Sequence, residues 1–428
     1  MINMGLIDEL RAADKQGLFT SNDSFTNYST GLLPLDFANG FMFQTPSGEM
    51  VPITGITGGT FITIIGISGS GKTTLADQIA FNIIKPFPEG LMIHSDVEKT
   101  AMKNRIIEIT GADFDDPRII LNKDHVSIED TLEMIDIICN EKEKGGDKYK
   151  YELDPKLFKN KNGKSVKAYV PTVFVIDSLA AFNSKNRKEE ELEGQMSGGR
   201  EASQISQFYT KCLNKMSKYN ITIIVVNHIK SKVEINQFQT SLPQLMMLRQ
   251  GESLPRGTAP IYYAQNIFRC NATKGNIYTM EDNGFEGFKV SIQIAKTKTS
   301  FIGSTVDVCF NKDIGFDPIY TLYEFGQQAN IIEGRNPYLY FKDAPEYKFN
   351  RKQFRDKFIH EPDFREAVFR AVDPYLHALI GSKTLTQKER DQYIPLGALL
   401  AEKDGKIVQV EAMSENDTGD SDHDVKEA

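Results

Sequence analysis

The sequence predicts an α/β fold with a mostly parallel central β-sheet flanked by helices, and three stretches carry that reading. Phe61-Ile-Thr-Ile-Ile65 is a short apolar-rich strand that runs through Gly66-Ile-Ser-Gly-Ser-Gly71-Lys72-Thr73 into a helical run with Leu75, Ile79 and Ile83. Thr172-Val-Phe-Val-Ile-Asp177 and Ile221-Thr-Ile-Ile-Val-Val226 are two further apolar runs of strand length. Strands apolar on both parities are buried on both faces, as parallel sheets between helices require. At 428 residues the chain is long for one domain, so one large core with appendages, or two domains, is expected.

Composition narrows the class. Apolar content of 40% and charged content of 25% are ordinary for a globular protein. No apolar run approaches the roughly 18 residues of a membrane span, and no signal-peptide pattern opens the chain, so a cytoplasmic protein is expected. Cys139, Cys212, Cys270 and Cys309 are scattered without a Cys-x-x-Cys pair, which suggests neither a zinc site nor a disulfide framework. The net charge of −8 argues at first against a nucleic-acid partner. Residues 411–428, however, hold seven acids against Lys426, a net −6, which leaves −2 for the other 410 residues. A nearly neutral body can present a local basic groove.

Taken in order, residues 1–26 are polar, with a short helix expected around Ile7–Leu10 and then a loose arm. Tyr28-Ser-Thr-Gly-Leu-Leu-Pro-Leu-Asp36 turns into a short apolar segment. The glycine-rich stretch has the G-x-x-x-x-G-K-T spacing of a phosphate-binding loop. Its cradle comprises Gly66, Ser68, Gly69, Ser70, Gly71, Lys72, Thr73 and Thr74. The glycines let backbone N–H groups approach a polyphosphate, Lys72 supplies a charge for the β/γ-phosphates, and Thr73 a hydroxyl for Mg²⁺. These features predict ATP and Mg²⁺ as ligands.

Leu91–Ser95 is a strand ending in Asp96-Val-Glu98. Carboxylates at i and i+2 of an extended strand point the same way, so both are candidates to orient the attacking water, and a helix-capping acid is the alternative. Ser127–Asn140 reads as an amphipathic helix. Residues 141–168, with nine lysines between Lys142 and Lys167, read as a surface insertion. Asp177, closing an apolar strand, is placed to hold Mg²⁺ with Ser178 beside it. Asn183–Gly199 is a charged loop, and the helix after it has Ile205, Phe208, Tyr209, Cys212, Leu213 and Met216 on one face.

The strand Ile221–Val226 ends in Asn227-His228, and polar residues there sit where a γ-phosphate is sensed. Lys230–Gly257 lacks a steady period and carries Lys230, Lys232, Phe238, Arg249 and Arg256, a mixture suited to single-stranded nucleic acid. Strands follow at Asn266–Asn271, Phe288–Ala295 and Thr305–Phe310. Val290, Ile292, Ile294, Lys296 and Lys298 share one parity, which puts both lysines on one side. A helix is expected at Ile319–Gln327 and a Pro- and Tyr-rich linker or cap at 334–350. Phe354–Ile380 reads as helix broken at Pro362 and Pro374, and the acidic tail as disordered.

Phosphate loop, acid, acid-ended strand and polar sensor, followed by a long loop and two lysines, stand in an order that resembles the RecA family of recombinases. The resemblance runs from about Ser29 to Ile380 and is closest to the recombinases of T-even-type bacteriophages, which also carry His where the bacterial proteins have Gln at the His228 position. It implies a RecA-like P-loop ATPase core at 46–333, preceded by an arm and entry segment at 1–45. A small helical region at 334–400 and a disordered acidic tail at 401–428 follow. It implies Glu98 as the catalytic carboxylate, with Asp96 as fallback, and Lys72, His228, Lys296 and Lys298 in the reaction. The two lysines would reach the ATP of an adjacent subunit. Ser184–Glu201 and Lys230–Gly257 fall where the family's two DNA-binding loops lie, which adds Arg200 to the DNA-contact candidates.

The implied function is ATP-dependent strand exchange in recombination and repair, by a filament on single-stranded DNA. Homologous duplex, a single-strand-binding protein and a loader are the implied partners. A hexameric helicase on the same core and a non-exchanging accessory ATP-binder are the alternatives.

Overall fold

Nine strands form one sheet. In chain order they are β1 (Phe61–Gly66), β2 (Leu91–Asp96), β3 (Ile119–Asn122), β4 (Thr172–Asp177), β5 (Ile221–His228), β6 (Asn266–Ala272), β7 (Gly287–Thr297), β8 (Thr305–Asn311) and β9 (Gly315–Phe316). Across the sheet the order is β9-β8-β7-β6-β1-β5-β4-β2-β3. Pairing is parallel from β6 to β3 and antiparallel from β6 to β9. The computed structural model describes residues 24–159, 164–185, 198–231, 248, 252–381, 400–403 and 406–409.

The core lies on both faces of this sheet because successive strand residues alternate between them. Ile62, Ile64, Val173, Val175, Ile224 and Val226 face α1 (Lys72–Ile84), packing on Leu75, Ile79 and Ile83. Phe61, Phe174, Ile176, Ile223 and Val225 face the opposite way, toward α3 (Ile128–Gly145) and α4 (Gly198–Tyr219). Between these, α2 (Lys103–Thr110) follows β2. Ser127 caps α3 through a reciprocal box with Asp130, satisfying N–H groups that the first helical turn leaves open.

Several expectations need correcting. The lysine-rich stretch is not all insertion: α3 continues to Gly145, and Lys142 is buried on it. The described part of the remainder is a surface hairpin, Lys150–Glu152 with Lys167–Tyr169, whose lysines Lys156, Lys159, Lys164 and Lys167 are exposed as expected while a few apolar residues anchor it. Leu153 and Phe158 are buried, and the Tyr151 ring lies 4.7 Å from that of Phe87. Residues 334–350 are not a linker. With Ile332 they build a three-stranded antiparallel sheet, Ile332–Arg335, Tyr338–Phe341 and Ala344–Phe349. Its buried Leu339, Phe341 and Phe349 pack with Phe354 and Phe364 of two helices, α6 (Arg351–His360) and α7 (Pro362–Gly381), beside α5 (Pro318–Gln328). Pro374 does not break α7, because Val368, Ala371, Val372 and Leu376 on either side of it are held in that core.

The unit that spans Met1–Ser382 contains all of these elements, and Lys383–Ala428 is a second unit. In the second, Leu400–Lys403 pairs with Lys406–Gln409, so the first residues of the expected disordered tail are strand. Asp404-Gly405 between them is a two-residue hairpin signal. The expected helix near Ile7–Leu10 and most of the acidic tail lie outside the described residues.

Lys142 generates a pH-dependent prediction. Its Nζ donates to the carbonyls of Val170 (2.7 Å) and Tyr219 (2.8 Å), and burial pushes its pKa down to about 7 from 10.5. Between those values the unfolded chain holds a proton that the folded one lacks. The stability this group contributes is therefore present at high pH and lost as pH falls through about 7. Lys142→Met should flatten the rise in unfolding free energy between about pH 7 and pH 9, measured by urea titration. Parallel pH profiles for the two proteins would show that the ammonium is accommodated without cost.

Candidate nucleotide site

Four strands end side by side at one edge of the sheet. Gly66 at the end of β1 is paired with His228 at the end of β5, and Asp177 at the end of β4 with Asp96 at the end of β2. The phosphate loop starts from this edge. A Cβ on Gly66 would stand 2.6 Å from Ser70 Oγ and 2.7 Å from the Cys270 carbonyl, so only glycine fits. Gly71, at φ +82°, starts α1 in the left-handed region with the Phe316 ring beneath it.

Within the loop, Ser70 Oγ donates to the Ile67 carbonyl (2.8 Å), and so does Lys72 Nζ (2.7 Å). Lys72 is 4% exposed, and burial pushes its ammonium down. Ser68 and Gly69 are exposed at the loop's crest, and Thr74 packs beside Gly315. Thr73 Oγ1 donates to Asp177 Oδ2 at 2.5 Å. Burial pushes the Asp177 carboxyl up, against that hydrogen bond. A buried ammonium that, among the described residues, donates to a loop carbonyl alone suits a polyanion. A hydroxyl and a carboxylate in contact at its foot are oxygen donors suited to a hard divalent cation. The residues present therefore fit a Mg²⁺-bound nucleoside triphosphate.

The two candidate carboxylates are not equivalent, contrary to the expectation that they point the same way. β2 stops at Asp96, and Lys99 turns through a positive φ of 60°. Asp96 is buried and accepts from the N–H groups of Thr100 (3.1 Å) and Ala101 (2.8 Å), with Lys123 Nζ at 3.7 Å, which is a turn-capping role. Glu98 projects toward the strand ends. Its Oε1 accepts from Ser178 Oγ (2.5 Å) and lies 3.6 Å from His228 Nε2. Glu98, Ser178 and His228 thus form one corner beside Thr73 and Asp177. The Asp177–Ser178 peptide bond is cis.

Sequence reasoning missed the pair behind this corner. His94 on β2 and Asp77 on α1 are both buried, with Nδ1 and Oδ1 2.6 Å apart. Burial alone would push the imidazole down, but the charge and hydrogen bond of Asp77 outweigh it and raise its pKa. Asp77 follows Thr73 by one helical turn, so α1 is pinned to the sheet at two successive turns. An acid among the apolar positions of α1 and a histidine inside a buried strand were the available signal.

Other candidates fall elsewhere. An irregularity in the β6–β7 register, at Ala295, moves Lys296 onto the face opposite Ile294, so it leaves the row of Val290, Ile292 and Ile294 that strict alternation put it in. Lys296 Nζ donates to the carbonyls of Ile261 (2.5 Å) and Tyr262 (3.0 Å), and Lys298 is exposed beside it. Neither engages the phosphate loop of its own chain. Lys230 is exposed at the root of the second loop, where Lys230–Ser231 pairs with Glu252–Ser253. The Arg256 guanidinium is turned onto the Ala180 carbonyl and Asn183. Lys232, Phe238, Arg249 and the Arg200 side chain lie outside the described residues.

The buried pair yields a test of its structural role. His94→Leu leaves the Asp77 carboxylate buried without its partner and should cost about 3 kcal/mol of unfolding free energy. His94→Leu combined with Asp77→Leu should recover most of that loss. Additive losses in the double variant, measured by denaturant unfolding, would mean that the two residues do not act as a pair.

Residues 48–241 match the model of the KaiC ATPase family. Over a longer span that includes this segment, the chain is 23% identical to Protein RecA of Chlamydia muridarum (strain MoPn / Nigg) over 390 residues, covering 88% of this chain and 90% of that protein. It is 23% identical to Protein RecA of Chlamydia pneumoniae over 355 residues, 79% of this chain and 82% of the relative. Protein RecA of Chlamydia abortus (strain DSM 27085 / S26/3) is 22% identical over 382 residues, 88% and 90%. Sheet order, phosphate loop and these similarities agree: the chain carries a KaiC-like, RecA-like P-loop ATPase domain and is similar to RecA proteins over most of its length.

Proposed function

We propose that this chain is a recombinase that hydrolyses ATP, assembles as a filament on single-stranded DNA and exchanges that strand with a homologous duplex. The observation that carries the reading is the Glu98–Ser178–His228 corner, which lies between the phosphate loop and the roots of two long loops. Similarity to RecA proteins beyond the ATPase segment supports it. His228 at the sensor position supports placing it with the T-even-type phage proteins. Single-strand-binding and loading proteins are the further partners this reading entails.

In this reading Lys72 and the N–H groups of the loop from Gly66 to Thr74 hold the β- and γ-phosphates. Thr73 and Asp177 would hold Mg²⁺, which supplies positive charge to the phosphate oxygens. Glu98 orients a water whose oxygen bonds to the γ-phosphorus as the bond to the β–γ bridging oxygen breaks, giving ADP and phosphate. His228, beside Glu98, relates occupancy of the γ-position to the second loop that begins two residues later. Lys296 and Lys298 act on the ATP of a neighbouring copy. Phe301 and Ile302, 55% and 50% exposed in the segment joining β7 to β8, supply an apolar contact next to them.

Electron microscopy of the full chain with ATP and single-stranded DNA tests the assembly directly. Open helical filaments are expected; closed rings would favour a helicase, and dispersed subunits an accessory ATP-binder. The two carboxylates separate by substitution. Glu98→Gln should lower ATP turnover by about a hundredfold or more with folding unchanged. Asp96→Asn should lower thermal stability and keep measurable turnover. The reverse pattern would move the catalytic role to Asp96.

The neighbour-directed role of the lysines is read from mixing. Lys72→Ala and the Lys296→Ala/Lys298→Ala variant should each be nearly inactive alone. Co-assembled, they should regain up to about a quarter of wild-type hydrolysis if sites act independently. Energy transfer between labelled subunits monitors co-assembly. A co-assembled but inactive mixture would place the lysines' action within their own subunit.

A further inference from the structure

The entrance of the first loop and the exit of the second meet at Arg256. This residue holds φ +71°, in the left-handed region that a long side chain rarely adopts, so its placement is imposed by its surroundings. Its Nε and Nη2 both donate to the Ala180 carbonyl (3.0 and 2.7 Å), and Nη2 also reaches Asn183 Oδ1 (2.6 Å). Ala180 lies two residues beyond Ser178, in the helical turn Leu179–Ala181 that opens the first loop. That root is a fixed platform. The Asn183 carbonyl accepts from Ile128 N–H (2.9 Å), and Glu129 accepts from Ser184 Oγ (2.7 Å) and Lys185 N–H (3.0 Å).

The second root is tied on its other side. Asn227, buried next to His228, donates to the carbonyl of Pro255 (3.3 Å), the residue before Arg256. Glu252 forms a two-pronged ion pair with Arg269 on β6 (2.7 and 2.8 Å). A closed circuit results. From the Glu98 corner one path runs through Ser178 to Ala180 and the other through His228 and Asn227 to Pro255, and Arg256 joins their ends.

We propose that Arg256 is a positioning residue that locks the roots of both loops into one unit, so that a change at the Glu98–Ser178–His228 corner reaches the two loops together. The inference rests on the reading of those loops as the DNA-binding surface, and it moves Arg256 from DNA contact to internal clamp. The planar guanidinium presents several donors to a carbonyl and an amide oxygen at once; a lysine ammonium keeps the charge without that fork.

Hydrogen exchange on the full chain without DNA tests the clamp itself. Arg256→Lys should speed exchange both in residues 252–258 and in the distant residues 180–185. Asn183→Ala, which removes one acceptor, should do the same, whereas Asn183→Asp keeps an acceptor and should resemble wild type. Faster exchange confined to 252–258, or none, overturns the proposal. In parallel, ATP hydrolysis is measured with and without oligothymidylate. The ratio of stimulated to unstimulated rate should fall by about threefold or more in Arg256→Lys and Asn183→Ala, with the half-saturating DNA concentration unchanged. If Arg256→Ala instead raises that concentration and flattens its salt dependence while Arg256→Lys and Asn183→Ala behave as wild type, Arg256 contacts phosphate and the clamp is wrong. Absence of any DNA stimulation in wild type would remove the DNA-binding reading, and the exchange measurement would then decide the clamp by itself.

Discussion

Parallel pairing of β5 with β1 and of β4 with β2 is the constraint on which the site depends. In a parallel sheet all strands present their C-terminal ends at one edge, so residues from distant parts of the chain are delivered to one line. Gly66, His228, Asp177 and Asp96 arrive there by register alone. The strands tolerate this because they are apolar on both faces, and α1 on one side and α3 with α4 on the other exclude water from them. Polar chemistry is thereby confined to strand ends, where backbone pairing stops and loops begin.

The exception is the polar seam under α1. Thr73 meets Asp177, and one turn later Asp77 meets His94. A buried ion pair contributes little net stability compared with apolar residues of equal volume, since desolvation offsets the Coulomb gain. Its effect is directional: only one rotation of α1 about its axis satisfies both contacts. The helix that carries the phosphate loop is therefore oriented by hydrogen bonds, while its depth against the sheet is set by Leu75, Ile79 and Ile83.

The two loops extend this logic outward. Their roots combine apolar anchors, Leu179 and Phe182 in one core and Ile229 and Leu254 against another, with polar contacts to backbone carbonyls and to Glu252, so the segment between site and loops also carries directional bonds. Directional networks have discrete arrangements, whereas apolar contacts slide. Such a layer suits the transmission of a small change at Glu98 or His228 to residues farther along the chain.

The sequence by itself determined the sheet class, the phosphate loop, Asp177 and the polar ends of β2 and β5, because each rests on short-range pattern: apolar runs of strand length, glycine spacing, a carboxylate closing a strand. It also marked Asn227-His228 and Ser178 by position alone. The resemblance ranked Glu98 ahead of Asp96, but only the tertiary structure shows their different surroundings, since these depend on where β2 stops and which N–H groups are left to cap. Ala295 shows the same limit: an irregular register exists only against a partner strand, and it reversed the face assigned to Lys296. The sheet at 332–349 escaped notice because prolines and tyrosines resemble a linker until Phe354 and Phe364 give them a core to face. Asp77 with His94 and Arg256 with Ala180 are 17 and 76 residues apart, and pairs of that separation leave no local periodicity to read. Local pattern specifies elements and their ends; partners across the fold are chosen by packing, which brings together what the chain holds apart.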